Sequence, residues 1–401
     1  MYDLMAGVRV IEVAEHTFVP SSAMILADWG ADVIKVERAQ GGDPGRHLVL
    51  PGTGGKVNPF FETPNRGKRG IALDLNQDAG RQILYRLIEK ADVFITNLRT
   101  SARRKLKIEP EDLLRINPKL IYARGSGYGQ KGADADRGGF DYPSSWCRSG
   151  SGFVQTLPDG EPPMQPGSVG DLCGGATLAG AISAALFRRE RTGKGAVVDH
   201  ALYMIGTYIM GQSLVAASAG LPHMQNRLQR DSASATTNNY RTRDGRWLNL
   251  CMLVPGWWPD FCRHVERPDL IDDPRFAAPE ARMKNARDLI GILNEVFASR
   301  TLDEWRAKLK TMEAVWEPMA SPAEVLKDPQ AIENGFVVPV TMADGTVYTA
   351  AASPCLFDGQ KLDGCKAAPA FGQHTLEVLR EIGIGDGEIA ALKAAGTVVQ
   401  A

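Results

Sequence analysis

Val8-Arg9-Val10-Ile11-Glu12-Val13 is a short β-rich run, followed by a loop, by a helical pattern that opens at Pro20-Ser21-Ser22 and stops at Trp29-Gly30, and by a second β-rich run over Ala31–Val36. A proline start and a glycine stop bracket one helix between two strands, which makes a β-α-β unit. The pattern continues downstream, where Gly70–Leu75 reads as a strand, Asp78–Lys90 as a helix, Asp92–Asn97 as a strand, Pro110–Ile116 as a short helix and Leu120–Ala123 as a strand. Strands alternating with helices predict an α/β fold built on a parallel sheet. In such a sheet the loops at the carboxyl ends of the strands meet in one crevice. Arg38, Arg99 and Lys105 each follow a strand, so they are expected to converge there on an anionic, phosphate-rich ligand.

The chain has 401 residues, 44% hydrophobic and 23% charged, with a formal net charge of −1. That length leads us to expect more than one domain. The near-neutral balance gives no global field for nucleic acid, so any anionic ligand must be held locally. Six cysteines without a C-x-x-C pair or zinc-ligand spacing fit a reducing cytoplasm and no metal. The first residues lack a secretory pattern. Residues 201–222 are uncharged and long enough to span a bilayer, but Gly206, Thr207, Gly211, Gln212, Ser213, Ser218 and Gly220 dilute them, which favours a buried or interface helix and no membrane. Tryptophans at 247, 257, 258, 305 and 316 mark a change of character, and a smaller domain is expected over 225–325. Beyond it, Ala323–Lys327 and Thr375–Ile382 read as helices, and Val337–Met342 with Val347–Ala351 as a hairpin around Asp344-Gly345.

Gly127-Tyr128-Gly129-Gln130-Lys131-Gly132 fits a dinucleotide fingerprint after a strand. The acidic, glycine-bearing loop that follows gives no helix N-terminus for a pyrophosphate, so a dinucleotide oxidoreductase ranks last. Thr192-Gly193-Lys194-Gly195 follows its helix and reads as a turn. Asp171 has more to offer. It lies in Ser168-Val169-Gly170-Asp171-Leu172-Cys173-Gly174-Gly175, at the mouth of a long apolar helix through Ala176–Phe187. A helix N-terminus favours an ionised carboxylate, which serves either as a cap or as a nucleophile.

Several segments occur in order along almost the whole chain: Gly30–Arg38, Gly42-Asp43-Pro44, Asn65–Leu75, Ala91-Asp92-Val93 with Asn97-Leu98-Arg99, Gly170-Asp171, Arg191–Gly195, and Gly372-Gln373-His374-Thr375 with Val378–Gly383. Together they resemble the family III CoA-transferases, the group that includes formyl-CoA transferase, carnitine CoA-transferase and the α-methylacyl-CoA racemases. The resemblance implies a Rossmann-like large domain with a parallel sheet, made from residues 1–200 and 326–401, a linker or interface helix over 201–224, a smaller α+β domain over 225–325, and an interlocked homodimer. By position, Asp171 matches the nucleophilic aspartate, with Asp141 as a second residue. CoA contacts fall on Thr17, Phe18, Arg38, Leu73, Asp74, Leu75, Asn76, Asn97, Leu98, Arg99, Lys105, Gly139 and Phe140. Acyl-CoA and a carboxylic acid are the implied substrates, and no further cofactor is implied.

Two departures narrow the activity. Racemases of this family carry a proton-exchanging histidine where this chain has Phe140, so racemisation or epimerisation loses a base. A glutamine near position 17 of formyl-CoA transferase is absent, which makes oxalate and formate poor substrates. Transfer through an aspartyl anhydride and an aspartyl-CoA thioester is therefore expected, ahead of a racemase and ahead of a non-catalytic acyl-CoA-binding protein. Backbone N–H groups near Gly174 and Gly175 are the expected oxyanion donors, and Phe18, Phe140, Trp146, Trp257 and Trp258 the expected lining for the acyl group.

Overall fold

β1 (Arg9–Val13) is followed by α1 (Phe18–Asp28) and β2 (Asp32–Arg38), so the opening β-α-β unit is present. The computed structural model describes residues 2–48, 55–222 and 226–400. Positions 49–54 of the glycine- and proline-rich loop and 223–225, where the expected linker meets the expected smaller domain, lie outside them. The chain continues through α2 (Pro59–Asn65), β3 (Arg69–Leu73), α3 (Asp78–Glu89), β4 (Val93–Thr96), α4 (Thr100–Leu106), α5 (Pro110–Ile116) and β5 (Ile121–Ser126). After a π-helical turn at Tyr142–Cys147 come α6 (Ser151–Gln155), α7 (Val169–Thr192), β6 (Ala196–Ala201), α8 (Leu202–Ile209) and α9 (Gly211–Ser218).

The main sheet has the order β3-β2-β1-β4-β5-β6, all parallel, with the C-terminal strand Val398–Val399 added antiparallel to β3. That order reverses direction between β1 and β4, the switch point at which doubly wound sheets open a crevice. Alternate residues face alternate layers. Val10, Val33, Val93 and Ile95 pack with α1 and α7, whereas Ile11, Ile34, Phe94 and Tyr122 pack with α3, α5 and the C-terminal helices Thr375–Glu381 and Asp386–Ala394. Both faces are covered, as parallel strands require.

The chain divides into two compact units. One comprises Met1–Phe153, Pro163–His223 and Pro329–Ala401, and the other Val154–Pro162 and Met224–Asp328. The smaller unit is built on an antiparallel sheet, Thr237–Arg241, Trp247–Cys251 and Val315–Pro318, with a core of Tyr240, Trp258, Phe261, Phe276, Phe297 and Trp305. Residues 201–222 do not form one continuous helix, because α8 and α9 are separated at Met210 in front of Gly211. The hairpin Val337–Thr341 and Val347–Ala351 is antiparallel across Asp344-Gly345, as the turn residues indicate.

α7 passes the length and composition test for a membrane-crossing helix, yet its Leu178, Ala179 and Ile182 are buried in the core it shares with α1. Close packing is what its glycines provide. A Cβ on Gly174 would lie 2.6 Å from the Phe18 ring, and one on Gly175 2.6 Å from Ser21 Cβ.

Candidate active site

β1 and β2 carry charges that periodicity alone would leave out of a buried sheet. Lys35 Nζ sits 2.8 Å from Glu12 Oε1 and 2.8 Å from Asp43 Oδ2, and donates to the Ala14 carbonyl at 2.9 Å. Lys68 Nζ meets Glu12 Oε2 at 2.6 Å and also donates to Pro20 O and Asn65 Oδ1. Burial opposes the Lys35 ammonium, but Glu12, Asp43 and Glu37 hold it protonated above its ordinary range. Burial and neighbouring Lys35 lower Lys68 to about 8, against the pull of Glu12. Glu37 in turn accepts from Arg46 Nε and Nη2, each at 2.7 Å.

This network fixes the loop after β1. The Ala14 carbonyl is held by Lys35, the Glu15 N–H and C=O are both bonded to the Asn97 amide at 3.0 and 2.7 Å, and the His16 N–H donates to Asp43 Oδ1 at 3.1 Å. The result is a non-glycine residue, His16, at φ +62°.

Above the loop opens a cavity of about 730 Å³, lined by the carboxyl ends of β1 to β5 and by Asp171 from α7. Of the residues anticipated to contact CoA, Phe18, Arg38, Leu73, Asp74, Leu75, Asn76, Asn97, Leu98, Arg99, Lys105, Gly139 and Phe140 all line it. They differ in how committed they are. Arg38 pairs with Glu15 at 3.0 Å, and Asp74 accepts from Asn76 and Gln77. No side-chain hydrogen bond or ion pair engages Arg99 or Lys105 among the described residues, which leaves two cations available to a ligand.

Thr17 and Asp141 do not line the cavity. Thr17 sits at the start of α1, where its carbonyl accepts from the Ser21 hydroxyl at 2.6 Å. Asp141 is buried behind Asp171. It accepts from the Ser145 hydroxyl, from Gln165 Nε2 at 3.0 Å and from the Asp171 N–H at 3.2 Å. A Cβ on Gly170 would fall 2.1 Å from Asp141 Oδ1. Glycine before Asp171 is therefore a condition of this contact.

Asp171 itself lies in the first turn of α7 and is not its cap, since Ser168 holds that position at φ +50°. Burial, with the Asp141 charge adding to it, raises the Asp171 carboxyl to about 7. Desolvation and like charge thus outweigh the helix dipole.

Gly174 and Gly175 are not oxyanion donors. They stand past the first helical turn, whose N–H groups alone are free, and they are occupied in packing on α1. Trp258 belongs to the core of the smaller unit, its indole N–H donating to Leu270 O at 3.2 Å, and Trp257 packs against that same core. Phe18 and Phe140 do line the cavity, joined by Leu202.

His16, Gln40, Asp43, Gln130 and Arg137 also line the cavity and were missed from sequence. Arg137 had a signal, because it closes the acidic loop after the glycine-rich fingerprint. His200 was missed as well. It stays behind Phe18, buried, with no hydrogen-bond partner for Nε2 among the described residues and its pKa lowered by burial.

The sequence matches CoA-transferase family III over residues 5–375. It is 32% identical to (R)-2-hydroxy-4-methylpentanoate CoA-transferase of Clostridioides difficile, covering 96% of this chain and 97% of that one. It is 30% identical to cinnamoyl-CoA:phenyllactate CoA-transferase of Clostridium sporogenes, with 98% and 96% covered. A solved CAIB/BAIF family protein from Brucella suis superposes with a TM-score of 0.82 at 28% identity, over 94% of this chain and 99% of that one. Full-length correspondence in sequence, with a superposable fold, leads to one conclusion: the chain belongs to CoA-transferase family III and is an enzyme with CoA-transferase activity.

Proposed function

We infer that the protein moves CoA from an acyl-CoA donor to a carboxylic acid acceptor with Asp171 as the nucleophile. The observation that carries this is one half-buried carboxylate facing the same cavity as Arg99 and Lys105, two cations without a side-chain hydrogen bond or ion pair among the described residues. The Asp171 carboxylate attacks the thioester carbonyl, forming an aspartyl–acyl anhydride and expelling CoA thiolate. The thiolate attacks the aspartyl carbonyl, forming an enzyme–CoA thioester and releasing the donor acid as its carboxylate. The acceptor carboxylate attacks that thioester and expels the thiolate. The thiolate then attacks the acceptor's carbonyl, restoring Asp171 and leaving a new acyl-CoA. Bond energy passes from thioester to anhydride and back, so no ATP and no further cofactor are required.

Arg99 and Lys105 hold phosphates, Lys105 as a point charge, and Arg38 stands beside them. Thr17 positions the start of α1, and Asp141 orients Asp171 from behind. Phe18, Phe140 and Leu202 favour an acid with an apolar side chain, in keeping with the substrates named for the clostridial relatives. An acyl-CoA racemase, which would incorporate solvent deuterium at the α-carbon, is disfavoured by Phe140.

The enzyme works as a homodimer. Met204, Tyr208, Ile209, Leu214 and Val215 are exposed along α8 and α9, an apolar face of the kind that a partner covers. The free state of all six cysteines suits the cytoplasm.

The test is CoA exchange between two acids. Asp171→Ala is expected to lower the rate by at least about 10³-fold, as loss of a covalent nucleophile does, with unchanged circular dichroism. Turnover near wild type would remove Asp171 from the mechanism.

A further inference from the structure

His16 is a non-glycine residue in the left-handed region, at φ +62°. Such a conformation is strained and persists only where its surroundings impose it. Here they do, through Asp43 on its own N–H, Asn97 on Glu15 and Lys35 on Ala14. What the strain delivers is the direction of one side chain. The imidazole lines the cavity shared with Asp171, and among the described residues it makes no hydrogen bond. Its edge meets the Phe140 ring, with centroids 5.3 Å apart and planes at 89°. Phe140 leads into Asp141, whose carboxylate receives the Asp171 N–H. From the other side, Phe18 packs against Gly174, one turn beyond Asp171. Two separate contacts therefore anchor the His16 turn to the helix that carries the nucleophile.

An attack at a thioester or aspartyl carbonyl develops negative charge on oxygen, and donors fixed beforehand stabilise it most. The glycines of α7 do not serve that need, whereas a neutral imidazole has one N–H to give. We propose that His16 contacts the substrate, donating a hydrogen bond to the carbonyl oxygen of the acyl group under attack by Asp171. This rests on the transfer reaction set out above.

His16→Gly tests it, because glycine adopts positive φ freely and so keeps the turn while deleting the ring. The expected result is a fall in kcat of about 10²-fold, the usual size for loss of one such donor. The KM for acyl-CoA is expected to stay within about threefold, since a contact made chiefly in the transition state leaves ground-state binding alone. Thermal stability is expected to be equal or higher, and free imidazole to restore part of the rate. His16→Asn, which tolerates the same backbone and keeps an amide donor, is expected to retain more activity than His16→Gly.

Wild-type kcat in His16→Gly would overturn the proposal while leaving Asp171 in place. Loss of solvent-deuterium exchange at the α-carbon without loss of transfer would overturn it too, by placing the imidazole at a carbon acid instead. Absence of any CoA transfer in the wild-type enzyme would instead remove the reaction on which the proposal rests.

Discussion

Beneath the crevice every charge is answered, and along its rim several are not. Glu12, Lys35, Lys68, Asp43, Glu37 and Arg46 form a closed set of ion pairs and hydrogen bonds. Arg99, Lys105 and His16 make no side-chain hydrogen bond or ion pair among the described residues, and Asp171 carries a raised pKa. Lys35 and Lys68 stand in segments that carry the family resemblance, yet their work is architectural: Lys68 secures Glu12, and Lys35 ties Glu12, Asp43 and the Ala14 carbonyl together behind the left-handed turn at His16. Saturated charge positions, and unsaturated charge is left to meet a ligand.

Breaking the saturated set is expected to have the largest energetic effect. Lys35→Met strands Asp43 without its cation and leaves Glu12 to Lys68 alone, and removing one member of a buried pair costs about 3–5 kcal/mol. Urea melts should show that loss at pH 7. A midpoint equal to wild type would mean that the network does not carry the fold.

Cutting the rim should spare stability and cost affinity. Arg99→Ala and Lys105→Ala are each expected to raise the KM for acyl-CoA about 10-fold, a charged hydrogen bond being worth roughly 1.5–3 kcal/mol. The KM for the acceptor acid and the urea midpoint should stay unchanged. Equal loss for both substrates would show that these cations do not sort CoA from acid.

The pH dependence sharpens the comparison at lower amplitude. Attack requires the Asp171 anion, so kcat/KM for acyl-CoA is expected to rise with pH through about 7 and then level off. Stability runs the other way. Between the unfolded value of 3.8 and about 7 the folded protein holds a proton that the unfolded chain has released, so this carboxyl lowers stability as pH rises through that window. Asp171→Asn should therefore be more stable than wild type by roughly 1–3 kcal/mol at pH 8 and nearly equal to it at pH 4. Equal melts at both values would place the carboxyl in water.

The sheet was legible because helix stops, proline starts and β-rich runs recur at βαβ spacing, and the cations after strands followed from topology. The Val398–Val399 strand and α4 were not legible. The strand is short, with two residues forming its antiparallel pairing, and α4 is a polar helix without an apolar stripe. His16 was invisible for a different reason. Its importance lies in a backbone angle imposed by Asp43 and Asn97, residues far along the chain, and no local pattern announces it. The roles given to Gly174 and Gly175 erred because glycine signals close approach without saying whether helix or ligand approaches. Asp171 was read correctly as lying at a helix mouth. Its raised pKa comes first from burial and then from the charge of Asp141, thirty residues away and brought beside it at a π-helical turn.

The central claim is that Asp171 becomes covalently acylated, and trapping tests it most directly. Enzyme incubated with acyl-CoA and hydroxylamine, then digested and examined by mass spectrometry, is predicted to carry an aspartyl hydroxamate at residue 171, dependent on acyl-CoA and absent from Asp171→Asn. Turnover with residue 171 unmodified, or a hydroxamate at another carboxylate, would contradict the account.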